Sequence, residues 1–177
     1  AKLRTSYGVT WGVGTGDIAA NTYSSSGIYS TYGNSSDHGQ TYSHLLFQST
    51  GTDGAGSASL LDLSSLESIH AGFNDGDNDR NIHQIKATAG GQIDFSGVKT
   101  VTGPYRNSSD RLDFIVEGGG GIDLTGLEEI KSAGSGYVRF AYDTGTLDLP
   151  LLVKADRTTV EMGAASAFAV PALETAS

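Results

Sequence analysis

The chain has 177 residues, enough for one domain and at most a small appendage. Glycine supplies 25 of them, about 14% against an ordinary ~7%, and cysteine is absent, which excludes a disulfide scaffold and any cysteine-ligated zinc or iron–sulfur centre. A net charge of −9 repels nucleic-acid phosphates and anionic lipid surfaces, and no apolar run reaches the ~18 residues that a membrane span needs.

Residues 1–43 hold Tyr7, Trp11, Tyr23, Tyr29, Tyr32 and Tyr42 among Ser, Gly, Thr and Asn, with few aliphatics. They read as a β-rich N-terminal cap that covers the first turn of the repeats beyond it and blocks edge-to-edge stacking. A ligand surface built on the aromatics is the alternative. His44-Leu45-Leu46-Phe47-Gln48 then reads as a strand, joined to the first repeat by the Gly-rich connector 51–57.

From there the chain repeats. Leu61-Asp62-Leu63-Ser64-Ser65-Leu66-Glu67-Ser68-Ile69 recurs as Ile93-Asp94-Phe95-Ser96-Gly97-Val98-Lys99-Thr100-Val101 and as Ile122-Asp123-Leu124-Thr125-Gly126-Leu127-Glu128-Glu129-Ile130. Weaker copies start at Leu147 and Phe168. A second strand precedes each later copy: Ile85-Lys86-Ala87, Phe114-Ile115-Val116, Phe140-Ala141-Tyr142 and Val160-Glu161-Met162. The apolar alternation has period two, a strand signature, and no segment sustains a helical period. The spacing of the motif aspartates shrinks, 32 residues from Asp62 to Asp94, 29 to Asp123 and 25 to Asp148. Because the step from each second strand to its motif is nearly constant, the variable lengths fall in 70–81, 102–111, 131–137 and 156–159, all at one corner.

A repeat this short with two strands per turn cannot bury its apolar face alone, whereas stacked turns make a continuous column. The predicted fold is all-β: a parallel β-helix, or β-solenoid, of about five turns over residues 44–177, about 24 Å tall at ~4.8 Å per strand. Ile93, Phe95, Val98, Phe114, Val116, Ile122, Leu124, Leu127, Phe140 and Leu147 should face its core. The absence of an initiator Met and the start of a further copy near Ser166, with no polar cap, lead to the expectation of a piece excised from a longer parent protein. The pattern resembles the parallel β-helix proteins of bacterial surfaces and secretions and, more faintly, the short solenoid of receptor L domains. That resemblance implies architecture and leaves activity open, since such folds host lyases, hydrolases, adhesins and receptors.

Asp62, Asp94, Asp123 and Asp148 share one motif position, so stacking puts them in a ladder. Each stands two residues before a Ser, Thr or Pro at a corner, where a carboxylate can accept turn N–H or hydroxyl hydrogen bonds. A bound cation is the other way to offset their repulsion. The loop Asn74–Asn81 carries Asp75, Asp77 and Asp79 at alternate positions, as calcium loops do. Arg80 stands where a helix-flanked calcium hand needs glycine, and Lys86 where it needs glutamate, so that motif is rejected. A looser surface Ca²⁺ site on Asp75, Asp77 and Asp79 stands against an ordinary solvated acidic loop, and no other cofactor is implied. Gly118–Gly121 lacks the helix and lysine of a phosphate cradle and reads as a corner. The histidines show no metal spacing, and Glu128-Glu129 point apart rather than forming a glycosidase pair.

These features lead first to a non-catalytic extracellular binding module, for carbohydrate, within a larger secreted or cell-surface protein. Its partners would be an extracellular glycan or surface ligand and the flanking domains. The candidate ligand-binding residues are Phe73, Tyr105, Arg106, Tyr137 and Arg139 on the variable-loop edge, where aromatic faces suit sugar rings and arginines suit hydroxyls. A structural stalk or adhesin segment is the second reading. A small β-helix polysaccharide lyase or hydrolase is the third and has no base-plus-metal constellation behind it.

Overall fold

A computed structural model describes residues 9–11, 41–52, 56–71, 80–106 and 108–176. They are all-β, with no helix. One sheet holds β1 (Val9–Trp11), β2 (Thr41–Thr50), β5 (Arg80–Thr88), β8 (Arg111–Glu117), β11 (Tyr137–Asp148) and β13 (Thr158–Ala169), in that order. A second holds β4 (Ser68–His70), β7 (Thr100–Thr102), β10 (Glu129–Lys131), β12 (Lys154–Ala155) and β14 (Thr175–Ala176), and a third holds β3 (Leu60–Asp62), β6 (Gln92–Asp94) and β9 (Gly121–Asp123). Every pairing between these strands is parallel except the antiparallel β1–β2 pair. Going up the chain, the first sheet is visited, then the third, then the second, and the cycle recurs.

The expectation of two strands per repeat is corrected to three. Each nine-residue motif is two short strands joined by a tight turn, too short for its own periodicity to show. The turn is identical in all five copies: the N–H of Leu66, Val98, Leu127, Leu152 and Leu173 donates to the carbonyl of Leu63, Phe95, Leu124, Leu149 and Val170, at 2.8–3.3 Å. In the last two copies the strands equivalent to those of the first and third sheets, consecutive in the chain, run together as β11 and β13, whose pairing carries a bulge between Tyr142 and Thr144.

Register places like on like. Phe47, Ile85, Phe114, Phe140 and Val160 are consecutive register partners, and so are Ile69, Val101, Ile130, Ala155 and Ala176. All ten residues expected in the core are buried, with none more than 7% exposed. Phe114 and Phe140 stack at 5.2 Å. Full burial of such side chains is worth roughly 1.5–3 kcal/mol each, and it is the dominant force that holds these narrow sheets together. His83 joins the core rows, 2% exposed and in register with Leu112.

Gly118–Gly119 does form a corner: both residues have positive φ, and the Gly120 N–H closes the turn on the Glu117 carbonyl at 3.1 Å. Of the 1–43 segment, β1 and the start of β2 are described, with Val9 opposite Ser49 and Trp11 opposite Phe47. The rest of the expected cap, Tyr7, Tyr23, Tyr29 and Tyr32 included, lies outside the described residues. No helix among the described residues is long and apolar enough to cross a membrane.

Candidate functional site

The expected aspartate ladder is present over three layers. Asp62, Asp94 and Asp123 are register partners. Each carboxylate accepts the N–H two residues on: Ser64 at 3.2 Å, Ser96 at 2.9 Å and Thr125 at 2.9 Å. The Ser64 and Thr125 hydroxyls add bonds of 2.7 Å to the same oxygens. These local donors offset the like-charge repulsion, so the ladder is a corner device. Asp148 precedes Pro150, which has no N–H to give.

Glu128 and Glu129 are tied to lysines rather than to each other. Lys99 lies 3.5 Å from Glu128, while Lys131 and Lys154 approach Glu129 at 3.0 and 3.4 Å. The hydrogen bond from Lys131, helped by Lys154, holds the Glu129 carboxyl below its ordinary range.

The described variable loops, within 102–111, 131–137 and 156–159, emerge from the corner between the second and first sheets and are stitched layer to layer. The Ser135 N–H donates to the Tyr105 carbonyl at 2.7 Å, the Gly136 N–H to Pro104 at 3.2 Å and the Tyr137 N–H to Asp110 at 3.1 Å. The Arg157 guanidinium donates to the Ser135 carbonyl at 2.9 Å. Tyr105 is exposed and Arg106 half-buried on this edge, with Tyr137 and Arg139 at the start of β11. Four of the five expected ligand residues are thus brought to one edge. Phe73 lies outside the described residues, as do Asp75, Asp77 and Asp79, the proposed calcium ligands. Among the described residues, no three His, Asp or Glu side chains gather closely enough to hold a metal ion.

A cleft of about 310 Å³ opens on this edge, lined by Arg80, Ile82, Ser108, Ser109, Arg111 and Tyr137. Register assembles it: Arg111 lies between Ile82 of β5 and Tyr137 of β11. Of these six, Tyr137 alone belongs to the ligand-binding residues expected from the sequence. The recurrence of arginine at the same corner was the available signal, for five of the six arginines (Arg80, Arg106, Arg111, Arg139 and Arg157) fall there.

Beneath the cleft sits a charge cluster built on one buried carboxylate. Asp113 is fully buried, although its row faces away from the apolar core. Arg139 grips it with two bonds, Nε to Oδ1 at 3.0 Å and Nη2 to Oδ2 at 2.7 Å. Arg111 Nε donates to the same Oδ2 at 3.0 Å, and Arg139 Nη1 reaches Glu161 at 3.0 Å. The bond to Asp113 outweighs burial and raises the Arg139 pKa further above its ordinary value. All three guanidinium nitrogens of Arg139 are thus engaged within the protein, making it an anchor of the site floor. Asp110, also buried, accepts the Asn81 N–H at 2.8 Å.

No protein-family model, no curated protein and no solved structure matches this chain.

Proposed function

We propose that the chain is a β-solenoid, a parallel β-helix of about five layers, which acts as a non-catalytic, carbohydrate-binding module of a secreted or cell-surface protein. The observation that carries the reading is the cleft of about 310 Å³ on the loop edge, which Tyr137 lines together with Ser108, Ser109, Arg80 and Arg111. Its volume is at the lower end of small-ligand sites, and its lining mixes an aromatic face with convergent polar groups. None of the six described lining residues is a carboxylate, histidine or lysine, so among the described residues the cleft walls hold no group suited to general acid–base work near neutral pH. Rigid parallel layers with loops of variable length at one corner suit recognition, because the loops change while the column stays.

A glycan array tests this. Binding should be detectable with the unaltered chain and lost on Tyr137→Ala, with Tyr105→Ala weakening it less. Absence of binding across the array would sink the reading.

A second reading, a structural stalk or adhesin segment, is favoured by the outermost apolar row. Val160, Met162, Val170 and Leu173 pack on the core while only partly buried, and Phe168 is exposed. Such a face suits stacking of a further layer. Under that reading no loop-edge substitution changes any binding.

A further inference from the structure

The proposed glycan site carries a more specific chemistry than sugar recognition alone. We infer that the cleft binds an oxyanion, so that the ligand is an acidic glycan bearing carboxylate or sulfate groups. This rests on the carbohydrate reading of the same cleft. The chain as a whole carries a charge of −9, yet five of its six arginines gather at one corner. The same corner also carries Asp110, Asp113 and Asp156, so recognition there rests on which guanidinium donors face the cleft rather than on net charge.

Two of these arginines stand in the cleft wall. The Arg80 side chain makes no ion pair or hydrogen bond among the described residues. Arg111 spends Nε on Asp113, and no bond from its two terminal nitrogens falls on the described residues. In the cluster beneath, Arg111 and Arg139 share Asp113, whose two oxygens they occupy, and Arg139 also pairs with Glu161. The bond to Asp113 fixes the orientation of Arg111 before any ligand arrives. A guanidinium held in place presents paired N–H groups to a planar carboxylate or a sulfate face, and little side-chain entropy remains to be lost. Ser108 and Ser109 place hydroxyls alongside, and Tyr137 places a ring where the sugar that bears the anion can lie.

The test is calorimetric titration of the 177-residue chain with four probes: oligogalacturonate, a sulfated galactan oligosaccharide, the same galactan without sulfate, and inorganic sulfate. One or both acidic oligosaccharides should bind, and the two arms identify whether carboxylate or sulfate is the recognised group. Arg80→Gln, at an exposed residue, should weaken that binding about tenfold with an unchanged melting temperature. Arg111→Gln should weaken it at least as much, and raising the salt from 50 to 300 mM should weaken it several-fold. Equal affinity for the unsulfated galactan, or acidic binding untouched by both substitutions, would overturn the anion site while leaving a carbohydrate module standing. Inorganic sulfate binding that depends on Arg80, with no oligosaccharide bound, would uphold the anion site and sink the glycan reading. Silence from all four probes would sink both.

Discussion

Tyr142 buries a polar atom at a cost. It faces the core, in register with Val116 and Met162, is 2% exposed, and its hydroxyl makes no hydrogen bond among the described residues. A buried hydroxyl without a partner costs about 1–3 kcal/mol, so Tyr142→Phe should stabilise the fold by roughly 1 kcal/mol in urea denaturation at neutral pH. Burial, with the Asp123 charge adding to it, also pushes the phenol above its ordinary value, which is ~10 in an unfolded chain. The unfolded state therefore loses this proton first, and the folded state loses stability as pH rises beyond about 10. The advantage of Tyr142→Phe over the native chain should widen between pH 8 and pH 11, and a constant difference would contradict the assignment. Asp113 is the opposite case, a buried charge with more partners than it needs. Asp113→Asn leaves two guanidiniums against a neutral amide and should cost about 3–5 kcal/mol, measured in the same way.

At the scale of the element, the nine-residue motif shows why some of its positions are fixed and others drift. A Cβ on Gly97 would collide with the Ser64 carbonyl of the preceding layer, and one on Gly126 with the Ser96 carbonyl. The first copy has an exposed Ser65 at this place. In the fourth copy Pro150 comes just before and Leu151 turns out to solvent. Gly126→Ala should therefore destabilise by about 1–3 kcal/mol through forced separation of layers, whereas Ser65→Ala should be nearly neutral, and thermal melts of the two variants compare them directly. The motif's apolar and aspartate positions were legible because stacking repeats them. Its division into two strands was not, since a three-residue strand such as Ser68–His70 offers one inward residue and no alternation to detect.

Across the whole molecule, legibility followed distance along the chain in the same way. The core rows could be read by aligning copies, and so could the loop edge that carries Tyr105, Arg106, Tyr137 and Arg139. The partners that make a cleft there could not, because Arg80 and Arg111 belong to different copies and only register makes them neighbours of Tyr137. The same register has a consequence at the far side of the six-stranded sheet. Among the described residues, strand β13 is its outermost member and pairs only with β11. A parallel edge strand turns every second amide toward its neighbour and the others toward water. Deuterium uptake along Thr158–Ala169 should then alternate residue by residue, slow and fast. The bulge sets Tyr142 opposite Met162 but Thr144 opposite Ala165, so β13 takes three steps where β11 takes two. The alternation should consequently reverse its parity across Gly163 and Ala164, a phase slip that residue-resolved exchange would record and that an unbulged ladder would lack.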